Sequence, residues 1–482
     1  MRGRGICRKG PPYGGSMAVV VDPKDSLFWF GTSDAMPTDQ YFLLAFATAG
    51  PAAAPAWENL VEAIADRSAA IPALNKRLAE SPAGIDYPRW VHHAADMGEC
   101  VHRLVDDGST YSTPEATRQW STCVDRIEEL LGSTLDATRT PWQLHIAPDV
   151  VGVPDVDGRA TIVFVRFSHV LTDGLGGAAL LRALFGRTPH PADAEIAAAS
   201  EPHEPGAVGW RLRDVGRAFG RLVRLPSALV ATAVAGRRSA RSSHSADPPT
   251  APLRRASINT CGAGVRDVTV LPIPRRISAS QRFTVTQLAL CAASLATERL
   301  LIRRGEAPDS LAAAVPVAVR EGAQWLGDNR FATAVVGLGV ASSTALDRVE
   351  AIRSSLGAER RRLVSPDTIT MLRLVESVPW PILSRYLRRG RARGVRTEFV
   401  PAHMSVTSVN CGDAAMELSG APAVMVAGFP CLSPDIGIGL GIYGLGTTVT
   451  LGVLTSPDAV PDADEYVDLL RSALDELSMT VA

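Results

Sequence analysis

The chain has 482 residues, with 49 Lys and Arg against 50 Asp and Glu and a formal net charge of −1. A length of this order exceeds what one hydrophobic core usually serves, so two or more core-forming units are expected. A hydrophobic share of 46% and a charged share of 21% exclude a disordered or fibrous chain, and charge balance with only 6% aromatic residues gives no support for a nucleic-acid partner. No uninterrupted apolar run approaches the ~20 residues that span a bilayer.

The first sixteen residues are basic and rich in Gly and Pro and lack the apolar core of a signal peptide. They read as a tail outside the fold, and the leader up to residue 35 is set apart with them. Helix patterns follow at 57–67 and at 113–131, where Pro114 suits a first turn. Strand patterns lie at 142–147 and 160–170. A helix at 175–185 is closed by Gly186 and Pro189. Proline-rich polar stretches at 189–205 and 239–252 bracket a basic segment. Beyond them come a helix at 285–299, strands at 312–319, 333–340, 424–426 and 447–454, and a closing amphipathic helix at 462–477. The expected organisation is a tail and leader at 1–35, an N-terminal domain at 36–205, a basic linker or helix at 206–252 and a C-terminal domain at 253–482. Interleaved strands and helices in both halves indicate an α/β (α+β layered) class. Cys7, Cys100, Cys123, Cys261, Cys291, Cys411 and Cys431 are odd in number, scattered and without a CxxC pair. They fit reduced thiols in a cytoplasmic protein, not a disulfide frame or a metal site.

One segment carries candidate chemistry. Ser168-His169-Val170-Leu171-Thr172-Asp173-Gly174 follows an apolar strand and precedes a helix. A neutral imidazole placed there is suited to take a proton from a hydroxyl near pH 7, while Asp173 or Thr172 is placed to cap the helix and Gly174 to turn the chain tightly. The plainer reading is a capped strand-to-helix turn with an incidental histidine. A third uses Gly174, Gly176 and Ala179 as a dinucleotide fingerprint, GxGxxA. Against it, the glycines start several residues after the strand and no second strand follows the helix. The downstream acids Asp193 and Glu195 also fall in the linker. His92-His93-Ala94-Ala95-Asp96 mimics the first motif but is one residue short, and reads as surface or packing histidines.

The segment SHVLTDG resembles the HHxxxDG motif of the bacterial wax ester synthase/diacylglycerol acyltransferase family, within the coenzyme A-dependent acyltransferase superfamily. Further blocks resemble the family in order and spacing. They are Met36-Pro37-Thr38-Asp39 with Tyr41 to Leu44; Leu135-Asp136 with Arg139-Thr140-Pro141-Trp142; Pro316 to Arg320 with Gly327-Asp328-Asn329-Arg330-Phe331; and the glycine-rich end at 437–452 with Val460-Pro461-Asp462. Departures accompany them. Ser168 replaces the first histidine, Thr286-Gln287 stand for an Asn-Asp pair, and Thr407 to Gly412 replace a SNVPGP turn.

The resemblance implies two chloramphenicol-acetyltransferase-like domains with an active-site tunnel at their interface. It implies an O-acyltransferase with acyl-CoA as co-substrate and no cofactor or metal. The acceptor is diacylglycerol, giving triacylglycerol, or a fatty alcohol, giving wax ester. His169 is then the general base, acting without a covalent intermediate. Asp173 fixes the loop through an ion pair with an arginine such as Arg320, and Gly174 completes the catalytic set. Ser168, Trp142, Asn329, Ser408 and Asn410 are the substrate-binding candidates. The departures motivate two alternatives, a relative that acylates another hydroxyl and a catalytically weakened paralogue that binds acyl chains or lipid. Gly437, Gly439 and Gly441 bare one face of a strand, for an acyl chain or another backbone. In the basic segment, Arg213, Arg217, Arg221 and Arg224 share one helix face with Val215, Phe219, Leu222 and Leu225 roughly opposite. This pattern suits peripheral contact with an anionic membrane or lipid droplet through 210–241, or an inter-domain helix packing its apolar side on the body. A second basic cluster at 385–396 either joins that surface or binds the phosphates of CoA.

Overall fold

Two mixed sheets, each covered by helices, form the computed structural model, which describes residues 19–33, 36–48, 56–105, 118–187, 207–243, 252–319, 327–342, 344–393, 397–413 and 415–480. The long strands of the first half are β1 (Gln40–Thr48), β2 (Trp142–Val151) and β3 (Arg159–Phe167). Those of the second are β4 (Asp267–Pro272), β5 (Ala312–Ala318), β6 (Phe331–Gly337), β7 (Met404–Asn410), β8 (Ala421–Phe429), β9 (Ile438–Leu445) and β10 (Thr448–Thr455). The first half and the segment after it supply helices α1 (Pro23–Gly31), α2 (Trp57–Ala69), α3 (Trp120–Leu131), α4 (Gly174–Phe185) and α5 (Ala207–Ser243). The rest of the chain supplies α6 (Val285–Arg303), α7 (Ala345–Leu363), α8 (Trp380–Arg393) and α9 (Ala463–Thr480).

In the first sheet β8, β1, β3 and β2 lie side by side, all antiparallel, with Gln40 opposite Phe167 and Phe429 opposite Tyr41. The run in β1 is apolar without alternation because both its faces are buried. Phe42, Leu44 and Phe46 join a core with Leu60 and Ile64 of α2 and Leu180 and Leu184 of α4. Tyr41, Leu43 and Ala45 join another with Cys123, Ile127 and Leu131 of α3. Since both neighbours of β3 are antiparallel, the βαβ unit that the dinucleotide fingerprint requires does not form.

The second sheet runs β4-β10-β9-β7-β5-β6 and shares one core with α6, α7 and α9. Strand β8 departs from it. Although it lies in sequence between β7 and β9, it joins the first sheet, so residues placed in the 253–482 unit complete the 36–205 unit. Glycines permit the crossing. A Cβ on Gly441 would lie 2.0 Å from the carbonyl oxygen of Gly428, and one on Gly452 would lie 2.3 Å from the same atom. A Cβ on Gly437 would lie 2.4 Å from the carbonyl oxygen of Thr260. These glycines therefore admit protein backbone, the second of the two uses expected for them.

Two expectations change here. Residues 1–18 and 34–35 lie outside the described residues, but residues 19–33 of the supposed leader are structured. Asp22 caps α1 by accepting from the backbone N–H of Lys24 at 2.8 Å, and Pro23 opens the helix. The second concerns α5, in which Arg217 and Arg221 face the protein. Buried Asp214 accepts from Arg89 at 2.5 Å, Ser81 at 2.7 Å and Arg217 at 2.5 Å. Burial would raise its carboxyl, but these donors hold it below the ordinary value. Buried Asp86 accepts from Arg217 at 2.7 Å and from Arg221. Arg217 and Arg221 thus pack on the body while Arg213 and Arg224 stay exposed, and the apolar side points away from it.

Candidate active site

Strand β3 ends at Phe167, and the next turn is tied down by its backbone. The N–H of Ser168 donates to the carbonyl of Pro141, and that of Leu171 to the carbonyl of Ser168, both at 2.8 Å. His169 sits in this turn and lines a cavity of about 320 Å³. The first half supplies Phe28, Thr38 to Tyr41 and Asp173 to Leu175 to its wall. The second supplies Pro316 of β5, Phe331 of β6, Ser405 and Thr407 to Val409 of β7, Phe429 to Cys431 and Tyr443. The histidine thus faces a space that neither half encloses alone.

The imidazole is held on several sides. The Phe28 ring stacks on it at 4.0 Å between centroids and 7° between planes, and Phe331 lies against it at 5.7 Å. Gln40 Nε2 lies 3.4 Å from Nδ1 and donates to the carbonyl of Thr172. Burial lowers the pKa of the ring, while hydrogen bonds with its own backbone and with Asn329, and the charge of Asp173, work against that shift. The balance leaves the ring neutral at pH 7, as a proton acceptor must be. Nδ1 is thus the nitrogen beside Gln40.

Asp173 does two jobs, and neither is the expected ion pair. Its Oδ1 caps α4 by accepting from the N–H of Leu175 at 3.1 Å and of Gly176 at 2.9 Å. Its Oδ2 accepts from the backbone N–H of Arg330, in the other half, at 3.0 Å. Arg320 lies outside the described residues. Gly174 has no left-handed backbone; its small size matters because a Cβ would lie 3.2 Å from Val409.

The substrate-binding candidates divide. Ser408 lines the cavity and accepts from Thr286 Oγ1 at 2.9 Å, which joins two of the positions that depart from the family pattern. Gln287, beside Thr286, closes a capping box with Thr284. Asn329 is buried and acts on the histidine, its Nδ2 donating to the carbonyl of His169 at 2.8 Å. Ser168 is buried off the cavity wall. Trp142 is a core residue whose indole N–H donates to Leu74 at 2.9 Å. Asn410 accepts from the N–H of Gly412 at 2.9 Å and shapes the turn after β7, away from the cavity. His92 and His93 are exposed at the end of a short strand. Arg385 lines a separate groove with Trp29, Phe30 and Trp380, and the cluster's side chains from residue 388 on lie outside the described residues.

The sequence reading missed the contribution of α1. Asp25 is buried in a cradle made by the 327–329 loop, accepting from the N–H of Asp328 at 2.7 Å and of Asn329 at 3.2 Å. Burial pushes its carboxyl up to about 7, against the pull of these donors. Lys24 Nζ donates to the carbonyls of Asn329 at 2.7 Å and Phe331 at 2.6 Å, and burial lowers its pKa to about 8. The same helix carries Phe28 to the histidine. The Asp22-Pro23 pair, a helix-start signature, was the available signal.

Residues 21–293 match the wax ester synthase/diacylglycerol acyltransferase catalytic domain, and residues 327–478 match the C-terminal domain of that family. The probable diacylglycerol O-acyltransferase Tgs4 of Mycobacterium tuberculosis is 20% identical over 415 residues, covering 82% of this chain and 83% of its own. Among solved structures, the wax ester synthase/diacylglycerol acyltransferase of Marinobacter aquaeolei VT8 superposes with a TM-score of 0.59 at 17% identity, covering 96% of this chain and 99% of its own. The trichothecene 15-O-acetyltransferase TRI3 of Fusarium sporotrichioides shares the fold with a TM-score of 0.52 at 12% identity, covering 95% of this chain and 94% of its own. With a histidine-bearing cavity between two acyltransferase-type sheet units and both family domains matched in order, the chain belongs to the wax ester synthase/diacylglycerol acyltransferase family and is an acyltransferase.

Proposed function

We propose that the chain transfers a long-chain acyl group from acyl-CoA to the hydroxyl of diacylglycerol or of a fatty alcohol. The observation that carries this reading is His169, neutral and lining a largely apolar cavity shared by both halves. Nε2 takes the hydroxyl proton as the alcohol oxygen attacks the thioester carbonyl. The carbon–sulfur bond then breaks, and the proton passes from His169 to the departing thiolate, giving free CoA and the ester. For Nε2 to accept, Nδ1 must keep the resting proton.

Negative charge on the attacked carbonyl oxygen needs a donor. Ser408 accepts from Thr286, which leaves its own O–H for that oxygen. Direct transfer fits the state of Cys431, the thiol on the cavity wall. Burial and the charge of Asp39 push it up to about 12, so it offers no thiolate to form an acyl-enzyme. Both lipid acceptors reside in membranes or lipid droplets, so peripheral contact with such a surface, at the inner membrane face or a droplet, is part of the reading.

Incubation with radiolabelled palmitoyl-CoA and, separately, diacylglycerol, hexadecanol and water tests it. Labelled triacylglycerol or wax ester is the expected product. His169→Ala is expected to lower transfer by about 10²–10⁴-fold, the usual worth of a general base, with an unchanged circular-dichroism spectrum. Transfer to neither lipid alcohol, or full activity in the variant, overturns the reading.

A further inference from the structure

We infer that the outward face of α5 is a lipid-docking surface, which the protein lays on a phospholipid-covered interface apolar side first. The inference deepens the lipid-acceptor reading above and rests on it for its purpose, though not for its geometry. Leu212, Phe219 and Val230 are 74%, 65% and 65% exposed, and Val215, Leu222, Val223, Leu229 and Val234 are exposed with them. From Leu212 to Val234 these positions fall on one side of the helix, a stripe about 33 Å long broken between Val223 and Leu229, where Pro226 lies. Single exposed apolar residues are ordinary; a stripe of this extent on one element is not.

The usual arrangement of a surface helix is reversed. Asp214 and Asp86 draw Arg217 and Arg221 inward, so over residues 214–221 the protein-facing side of α5 is polar. The helix is long and apolar enough to cross a membrane by length and composition. Its tie to buried carboxylates instead holds it lengthwise against the body, the posture of an interfacial helix.

Charge identifies the occupant. Asp214 is the only acidic residue of the helix, and it is buried. The surface that α5 presents is therefore apolar residues with exposed Arg213, Arg224, Arg237, Arg238 and Arg241 at its flank and ends, and no carboxylate. A second copy laid on this face would set arginine against arginine with nothing to neutralise them, whereas a phospholipid surface offers acyl chains to the stripe and phosphates to the arginines. Two of the four arginines that share the basic face, Arg217 and Arg221, are thus spent on the protein, and the apolar face leads the binding.

Vesicle flotation separates the outcomes. Full-length protein is expected to float with phosphatidylcholine vesicles and to keep doing so at high salt, with added phosphatidylglycerol strengthening binding only moderately. Phe219→Asp with Val230→Asp is expected to reduce partitioning at least about tenfold, since each of these side chains loses its favourable burial. The variant should keep wild-type melting behaviour and transfer to a short-chain, water-soluble alcohol. Unchanged flotation of the variant overturns the inference. So does binding that vanishes at high salt, or light scattering that shows a dimer without vesicles which the variant dissolves. Flotation is read without any turnover, so a failed acyltransferase reading would leave this result intact.

Discussion

At the residue scale, the histidine is placed by groups that reach it from three separate parts of the chain. Phe28 covers its ring, Asn329 holds its backbone carbonyl, and Asp173 ties its loop to the backbone of Arg330. His169, Asp173 and Gly174 were legible because they lie within one short motif at a strand-to-helix junction. Phe28, Asp25 and Gln40 were not, because no local pattern links residues far apart in sequence. Asp25 offers a test with a definite sign. Its folded pKa of about 7 lies above the 3.8 of a free carboxyl, so between those values the folded state binds the extra proton. Stability from this group is therefore fully present at low pH and is lost as pH rises toward 7. Urea unfolding of wild type and Asp25→Asn at pH 5 and pH 8 should show a fall of roughly 1–3 kcal/mol in the wild type that the variant lacks. Parallel pH dependence in both proteins would refute it.

At the element scale, contacts between chain segments decide what each pattern means. The alternating glycines of β9 read equally well as room for a lipid or for a strand, and the carbonyl of Gly428 against Gly441 and Gly452 settles the matter. Gly441→Ala should destabilise the fold by about 1–3 kcal/mol or more, since two backbones must part. Gly216, in α5 with open space around it, is the control, and Ala there should be neutral or stabilise by about 0.5–1 kcal/mol. Denaturation midpoints for the pair measure the difference; equal effects would mean the crossing is loose. In α5 the amphipathic period was visible in sequence, but period alone does not say which side meets the body. Two buried aspartates 128 residues apart in sequence, Asp86 and Asp214, settle that.

At the scale of the whole molecule, the halves are not independent. β8 of the second completes the sheet of the first, α1 of the first grips the 327–331 loop of the second, and the cavity needs both. The segment 36–205 produced alone is therefore expected to lack a cooperative melting transition, because it has lost both β8 and α1. A sharp calorimetric transition for that segment would contradict this. Sequence by itself determined the strand and helix periods, the two-part organisation, the strand-His169-turn-Asp173-helix unit and, through blocks kept in order, the family. These are properties of local propensity and spacing, which short stretches carry within themselves. Only the tertiary structure decided that β8 changes sheets, that a leader helix covers the histidine, that Trp142 and Ser168 pack inside while Ser408 faces the cavity, and that α5 turns Arg217 and Arg221 inward. Each depends on which distant surfaces exclude water together and which buried charges must find partners, and that is settled only when the whole chain packs.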